Sequence, residues 1–156
     1  VSQKAATQTK IPSQLTVLTH YTQNEAVQKR TFTLAGRMGR LYINNRTMDM
    51  RRVDEVVPLN QVEVWEVHNE RMMMMGMEHN FHIHGTHFMI LERNGSASNV
   101  SENEKGYKDT VYLASGDSVK LIVKMTDYAD KTSPYMYHCH FLEHEDRGMM
   151  GQFIVT

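Results

Sequence analysis

The 156-residue chain has one cysteine, and a histidine flanks it on each side: His138-Cys139-His140. The run continues to His144 and Met149, giving the pattern His-Cys-His-x3-His-x4-Met. A second cluster lies upstream, His79-Asn80-Phe81-His82-Ile83-His84. Seven of the nine histidines fall in or beside these two segments; only His20 and His68 lie elsewhere. A thiolate among imidazoles, with a thioether nearby, is a soft donor set that suits copper.

Successive side chains of a strand face opposite ways. His138 and His140 then point to one side and Cys139 to the other, so one strand serves two metal centres. A blue electron-transfer copper takes one Cys, two His and a weak axial Met. Cys139, His144 and Met149 meet three of those needs, and His79 is available as the second histidine. His82 and His84 share one strand face and suit a second centre, whereas His87 falls on the opposite face and is expected to pack or support.

Other chemistries fit less of the pattern. His140-Phe141-Leu142-Glu143-His144 matches the H-x-x-E-H signature of inverted zinc proteases, but that motif needs a substantial helix and leaves His138, Cys139 and Met149 without a role. A free-standing blue copper electron carrier or copper-binding module needs only His79, Cys139, His144 and Met149, and gives no reason for His82, His84, His138 and His140. Copper storage would rest on the 13 methionines, five of which stand at Met72 to Met75 and Met77. Thioethers beside histidines favour Cu(I); as apolar filler they are equally ordinary.

These ligands need a rigid frame. Residues 1–13 are polar and read as a linker or arm, and 14–156 as a single domain. Short β-rich runs occur at Gln14–Thr19, Arg30–Leu34, Leu41–Ile43, Gln61–Val67, His82–Leu91, Thr110–Leu113, Ser118–Met125, Tyr135–Cys139 and Gln152–Val155. In Ser118–Met125, Val119, Leu121, Val123 and Met125 share one face. Trp65 is expected in the core. Asn94–Lys108 is polar and reads as a surface loop, and one short helix is expected near Phe141–Glu145. Many short strands with polar turns predict an all-β sandwich.

A net charge of -1 without a basic block gives no reason to expect nucleic acid or an anionic membrane surface as a partner. One cysteine excludes an internal disulfide. No signal peptide is recognisable, and a start at Val1 rather than Met fits a processed product or a fragment.

The two motifs resemble those of multicopper oxidases, in particular the third, C-terminal cupredoxin domain. The resembling segments are His79-Asn80-Phe81-His82-Ile83-His84-Gly85-Thr86, Gly106-Tyr107-Lys108-Asp109-Thr110-Val111, and His138-Cys139-His140 through Met150. The last is most similar to bacterial periplasmic copper-efflux oxidases, and Asn80 stands where proline is common. The resemblance implies a cupredoxin-like Greek-key sandwich. It implies type-1 copper on His79, Cys139 and His144 with Met149 axial, type-2 copper on His82, and type-3 copper on His84, His138 and His140. It further implies a proton-relay role for Glu145 and a place for substrate Cu(I) at Met77 and Asp146. In that family electrons from Cu(I) or a small phenolic reductant pass through the cysteine to a trinuclear cluster that reduces dioxygen to water. The cluster takes further histidines from N-terminal cupredoxin domains in His-x-His pairs. This chain has only half of the cluster ligands, so the isolated domain is expected to fill the type-1 site without sustaining oxygen reduction. A periplasmic place and a part in copper homeostasis also follow from the resemblance alone.

Overall fold

The computed structural model describes residues 10–37, 39–71 and 76–156, so the Met72–Met75 run and the first nine residues of the expected arm lie outside the described residues. Among the described residues ten strands form: β1 (Ala26–Arg37), β2 (Arg40–Ile43), β3 (Glu55–Val57), β4 (Val62–Asn69), β5 (His79–Ile83), β6 (Phe88–Arg93), β7 (Thr110–Leu113), β8 (Ser118–Lys124), β9 (Asp130–His138) and β10 (Met150–Val155). One short helix, α1 (Leu142–Asp146), sits between β9 and β10, one residue later than the sequence suggests. Among the described residues no helix is long and apolar enough to cross a membrane.

The strands make two five-stranded sheets, ordered β2-β1-β4-β8-β6 and β3-β10-β9-β5-β7. Neighbours in each sheet are mostly distant in sequence, as a Greek-key sandwich requires. β1 and β4 pair in parallel, as do β10 and β3; the other pairs are antiparallel. Val119, Leu121 and Val123 of β8, with Met125 after it, all turn into the core as their alternation predicts. Trp65 is fully buried there, with ring centroids 4.8 Å from Phe32 and 5.9 Å from Phe153.

Three expectations need correction. Gln14–Thr19 forms no strand. Residues 10–22 instead lie outside both sheets, and Leu18 and Tyr21 pack against Val62, Met89 and Ile122. This segment is anchored by its side chains, and β propensity without backbone pairing to a neighbouring strand does not make a strand. His82–Leu91 is not one strand either. Gly85, at φ 75°, turns the chain out of one sheet and into the other. A Cβ at Gly85 would lie 2.8 Å from the Tyr135 ring, so glycine is required twice over. Finally, β9 ends at His138, which leaves Cys139 and His140 just beyond it.

Candidate metal centre

The second sheet positions both donor clusters. On β5, His79, Phe81 and Ile83 are buried, and His82 with the following His84 lies on the alternate, partly exposed side. On β9, Tyr137 is buried in the core, and Cys139 continues its parity with no exposed surface. The pairing of His82 with His138 brings the two strands into register. One face of the sheet therefore carries the cysteine and the other carries most of the histidines.

On the inner side, His79, Cys139 and His144 converge. The Cys139 sulfur lies 3.7 Å from His79 Nδ1 and 3.4 Å from His144 Nδ1, and the two Nδ1 atoms are 3.1 Å apart. A metal bound about 2.0–2.3 Å from N and S donors holds those donors at such spacings, so the three fit a single ion. The other edge of the His79 ring has no partner among the described residues: its Nε2 is buried without a hydrogen bond to any of them. Burial, and then the nearby His144, lower the His79 pKa to about 4. Burial lowers His144 as well. Both rings are thus neutral near pH 7 and have lone pairs free for metal. Burial raises the pKa of the Cys139 thiol, so ligation there means displacing its proton.

The loop through α1 closes this set. His144 N–H donates to the Phe141 carbonyl, Met149 N–H to the His144 carbonyl, and Cys139 N–H to the Met149 carbonyl. These bonds hold Cys139, His144 and Met149 together through the backbone, and the Met149 side chain is fully buried. Gly148 supplies the turn before it at φ 83°.

On the outer side, His82, His84 and His138 each place a ring nitrogen within 4.8 Å of the others. His84 Nε2 and His138 Nε2 are 3.1 Å apart. The exposed His140 stands beside them, its ring centroid 5.2 Å from those of His82 and His138. Backbone acceptors set the tautomers. His82 Nδ1 is 2.9 Å from the Asp109 carbonyl and from the Thr110 hydroxyl, and His138 Nδ1 is 3.1 Å from the Cys139 carbonyl. Each Nδ1–H donates to a carbonyl, which frees Nε2 for a metal. Burial lowers the pKa of His84 and His138.

The remaining expected residues fall around these sets. Glu145 Oε2 lies 3.6 Å from His138 Nδ1. Met77, with Glu78, His140, Phe141, Leu142, Glu143 and His144, lines an open hollow of about 850 Å³ over the inner set. Asp146 is exposed on α1 and does not line that hollow. His87 is exposed and belongs to neither donor set. His144 belongs to the inner set, whereas His140 stands beside the outer histidines and precedes α1, so the inverted zinc-protease pattern has no helix behind it.

Four contributors escape a reading by ligand type. Asn80 Oδ1 accepts the His140 N–H and approaches the Cys139 sulfur. Asp109 and Thr110 orient His82; the Gly106–Val111 segment was the signal for them. Asn69 is buried and donates to the Met77, Leu113 and Ala114 carbonyls, which ties down the approach to His79.

Comparisons with known proteins bear on this arrangement. The multicopper oxidase family model matches residues 9–156. A multicopper oxidase of Staphylococcus aureus is 42% identical over 123 residues, which are 79% of this chain and 26% of that protein. The crystal structure of a multicopper oxidase from Pediococcus acidilactici aligns with a TM-score of 0.84 at 36% identity, over 95% of this chain and 30% of that one. A bacterial laccase-like multicopper oxidase from the lignin-degrading Ochrobactrum sp. aligns with a TM-score of 0.82 at 32% identity, over 95% of this chain and 35% of that one. The chain thus spans between 26% and 35% of the length of these relatives.

Proposed function

The chain belongs to the multicopper oxidase family, and from that premise we propose that residues 14–156 are the C-terminal copper-holding domain of a larger oxidase, with 1–13 as a linker or arm. The observation that carries the proposal is the division of donors at one peptide link. Cys139 turns to His79 and His144, whereas its neighbour His138 turns to His82 and His84. A free-standing electron carrier has no use for the second set.

In this reading His79, Cys139 and His144 would hold type-1 copper, with the buried Met149 as a weak further ligand. His82 serves type-2 copper, and His84, His138 and His140 serve the type-3 pair. Copper bound at these positions supplies one-electron redox chemistry between a reductant and dioxygen. Cys139 is joined to His138 and His140 through its own backbone, so few covalent bonds separate the two sets. Glu145, half-buried beside His138, holds or passes a proton there. The hollow lined by Met77 and His144 admits Cu(I) or a small phenolic reductant to the inner set, and Asp146 guides it from outside. The outer histidines face away from the core and await N-terminal domains with complementary ligands. A periplasmic setting and a part in copper homeostasis complete the proposal.

The test is a Cu(II) titration followed by visible absorption and EPR, beside Cys139→Ser. An intense blue band with narrow hyperfine splitting, lost in the variant, is the expected result. Copper binding without that band in the unaltered protein overturns the type-1 assignment. Robust dioxygen reduction by a proven monomer of this domain alone overturns the need for partner domains.

A further inference from the structure

We propose that Asn80 is a positioning residue that sets the redox potential of the Cys139-centred copper site. Its amide oxygen ties down the His140 backbone and holds the negative end of a dipole beside the Cys139 sulfur. The inference rests on the copper reading above and concerns the tuning of that site.

Asn80 stands on β5 between His79 and Phe81, with the parity of His82 and His84. Its Oδ1 accepts the backbone N–H of His140 and lies 3.6 Å from the Cys139 sulfur. The His140 N–H can only donate, so it fixes which end of the amide faces the Cys139–His140 peptide. The oxygen is held there and the amide nitrogen points away. Asn80 is half-buried and Cys139 fully buried, so water screens this dipole weakly.

The sign follows. Hydrogen bonding and polarity around the cysteine sulfur tune the potential of such a site. One electron added to a copper–thiolate unit raises the negative charge on sulfur, and an oxygen dipole end at 3.6 Å opposes that gain. Asn80 therefore favours the oxidised state and lowers the potential. An apolar side chain there raises it, and a carboxylate lowers it further. A residue that only braced the backbone would not reverse the shift between the two variants.

The experiment is a potentiometric titration of the blue band in the copper-loaded full-length oxidase, for the parent, Asn80→Leu and Asn80→Asp, with copper content and EPR recorded for each. Asn80→Ala replaces Asn80→Leu if leucine does not fold. A higher potential in Asn80→Leu or Asn80→Ala and a lower one in Asn80→Asp, with narrow hyperfine splitting retained, is expected. Unchanged potentials, or shifts of one sign in all variants, overturn the inference. Cys139→Ser, run alongside, separates the two failures. Persistence of the blue band in that variant overturns the copper reading itself; its loss together with unmoved Asn80 potentials overturns only the role of Asn80.

Discussion

The Nδ1 atoms of His79 and His144 lie 3.1 Å apart although 65 residues separate them in sequence. Neither ring can take a proton there without facing the other, and His79 is buried. In the unfolded chain His79 has the ordinary histidine pKa of 6.5, and in the fold burial and His144 lower it to about 4. The unfolded state therefore binds more protons between those values, and stability falls as pH falls. The metal-free protein should keep this contribution above about pH 6.5, lose it progressively toward pH 4 and lose no more from it below. The loss is on the order of 3 kcal/mol. Urea midpoints of the metal-free protein across that range check it. His79→Gln should flatten the profile, and an equally steep profile in the variant rules the assignment out.

His82 is aimed by the Thr110 hydroxyl as well as by the Asp109 carbonyl, each 2.9 Å from Nδ1. Thr110→Val removes one of these two acceptors and keeps the shape. Loss of such an orienting partner typically weakens metal binding about 10–100-fold, and the remaining carbonyl places this variant at the weak end. Copper affinity of the outer set, measured by competition with a chelator, should fall about tenfold. The blue band of the inner set should not change. Unaltered affinity would show that the carbonyl alone orients the ring.

Much of the site was legible because strand parity is a strict rule. One alternation places His138 and Cys139 on opposite faces, and the structure sends them to different donor sets. The same rule fails between His84 and His87, because Gly85 ends the strand and parity has no meaning across a turn. The apolar face of β8 was readable, but not the burial of Ile122 on its other face, since that depends on Leu18 and Tyr21 of the distant segment before β1. β3 escaped notice because three residues carry too little pattern, and its pairing with β10 decides it. Asn80, Thr110 and Asn69 act through hydrogen bonds to partners far along the chain, and no local periodicity encodes those.

Gly151 faces Tyr137 across the β9–β10 pairing. A Cβ at Gly151 would lie 2.4 Å from the Tyr137 ring carbon Cζ and hydroxyl oxygen. Tyr137 is itself buried against Phe32 and Phe81, so it has little room to move. Gly151→Ala should cost about 1–3 kcal/mol as an overpacked core contact. Guanidinium unfolding measures the loss, and Gly151→Ala combined with Tyr137→Leu should recover part of it. A loss in the double variant equal to the sum of the two single losses would refute the clash.

A buried ionic cluster joins the two sheets on the side of Trp65. Arg30 of β1 donates to both carboxylate oxygens of Glu63 on β4, at 2.7 and 2.8 Å. It also pairs with Glu55 and donates to the Val56 carbonyl, both on β3 of the other sheet. The Trp65 indole N–H donates to the same Glu63 at 2.8 Å. Glu63 is almost fully buried, so removing its cation leaves an uncompensated charge. Arg30→Met should therefore cost about 3–5 kcal/mol. Arg30→Met with Glu63→Leu should cost well under the sum of the single losses, because the charge leaves with its partner. The double variant still strands the indole N–H, at about 1–3 kcal/mol. Trp65→Ala opens a cavity under Phe32 and Phe153 and should cost about 3–5 kcal/mol. Trp65→Phe keeps most of the volume and should lose less. A double-mutant cycle on Arg30 and Glu63, read by chemical denaturation, decides the matter: coupling near zero would mean that the two charges do not depend on each other in the fold.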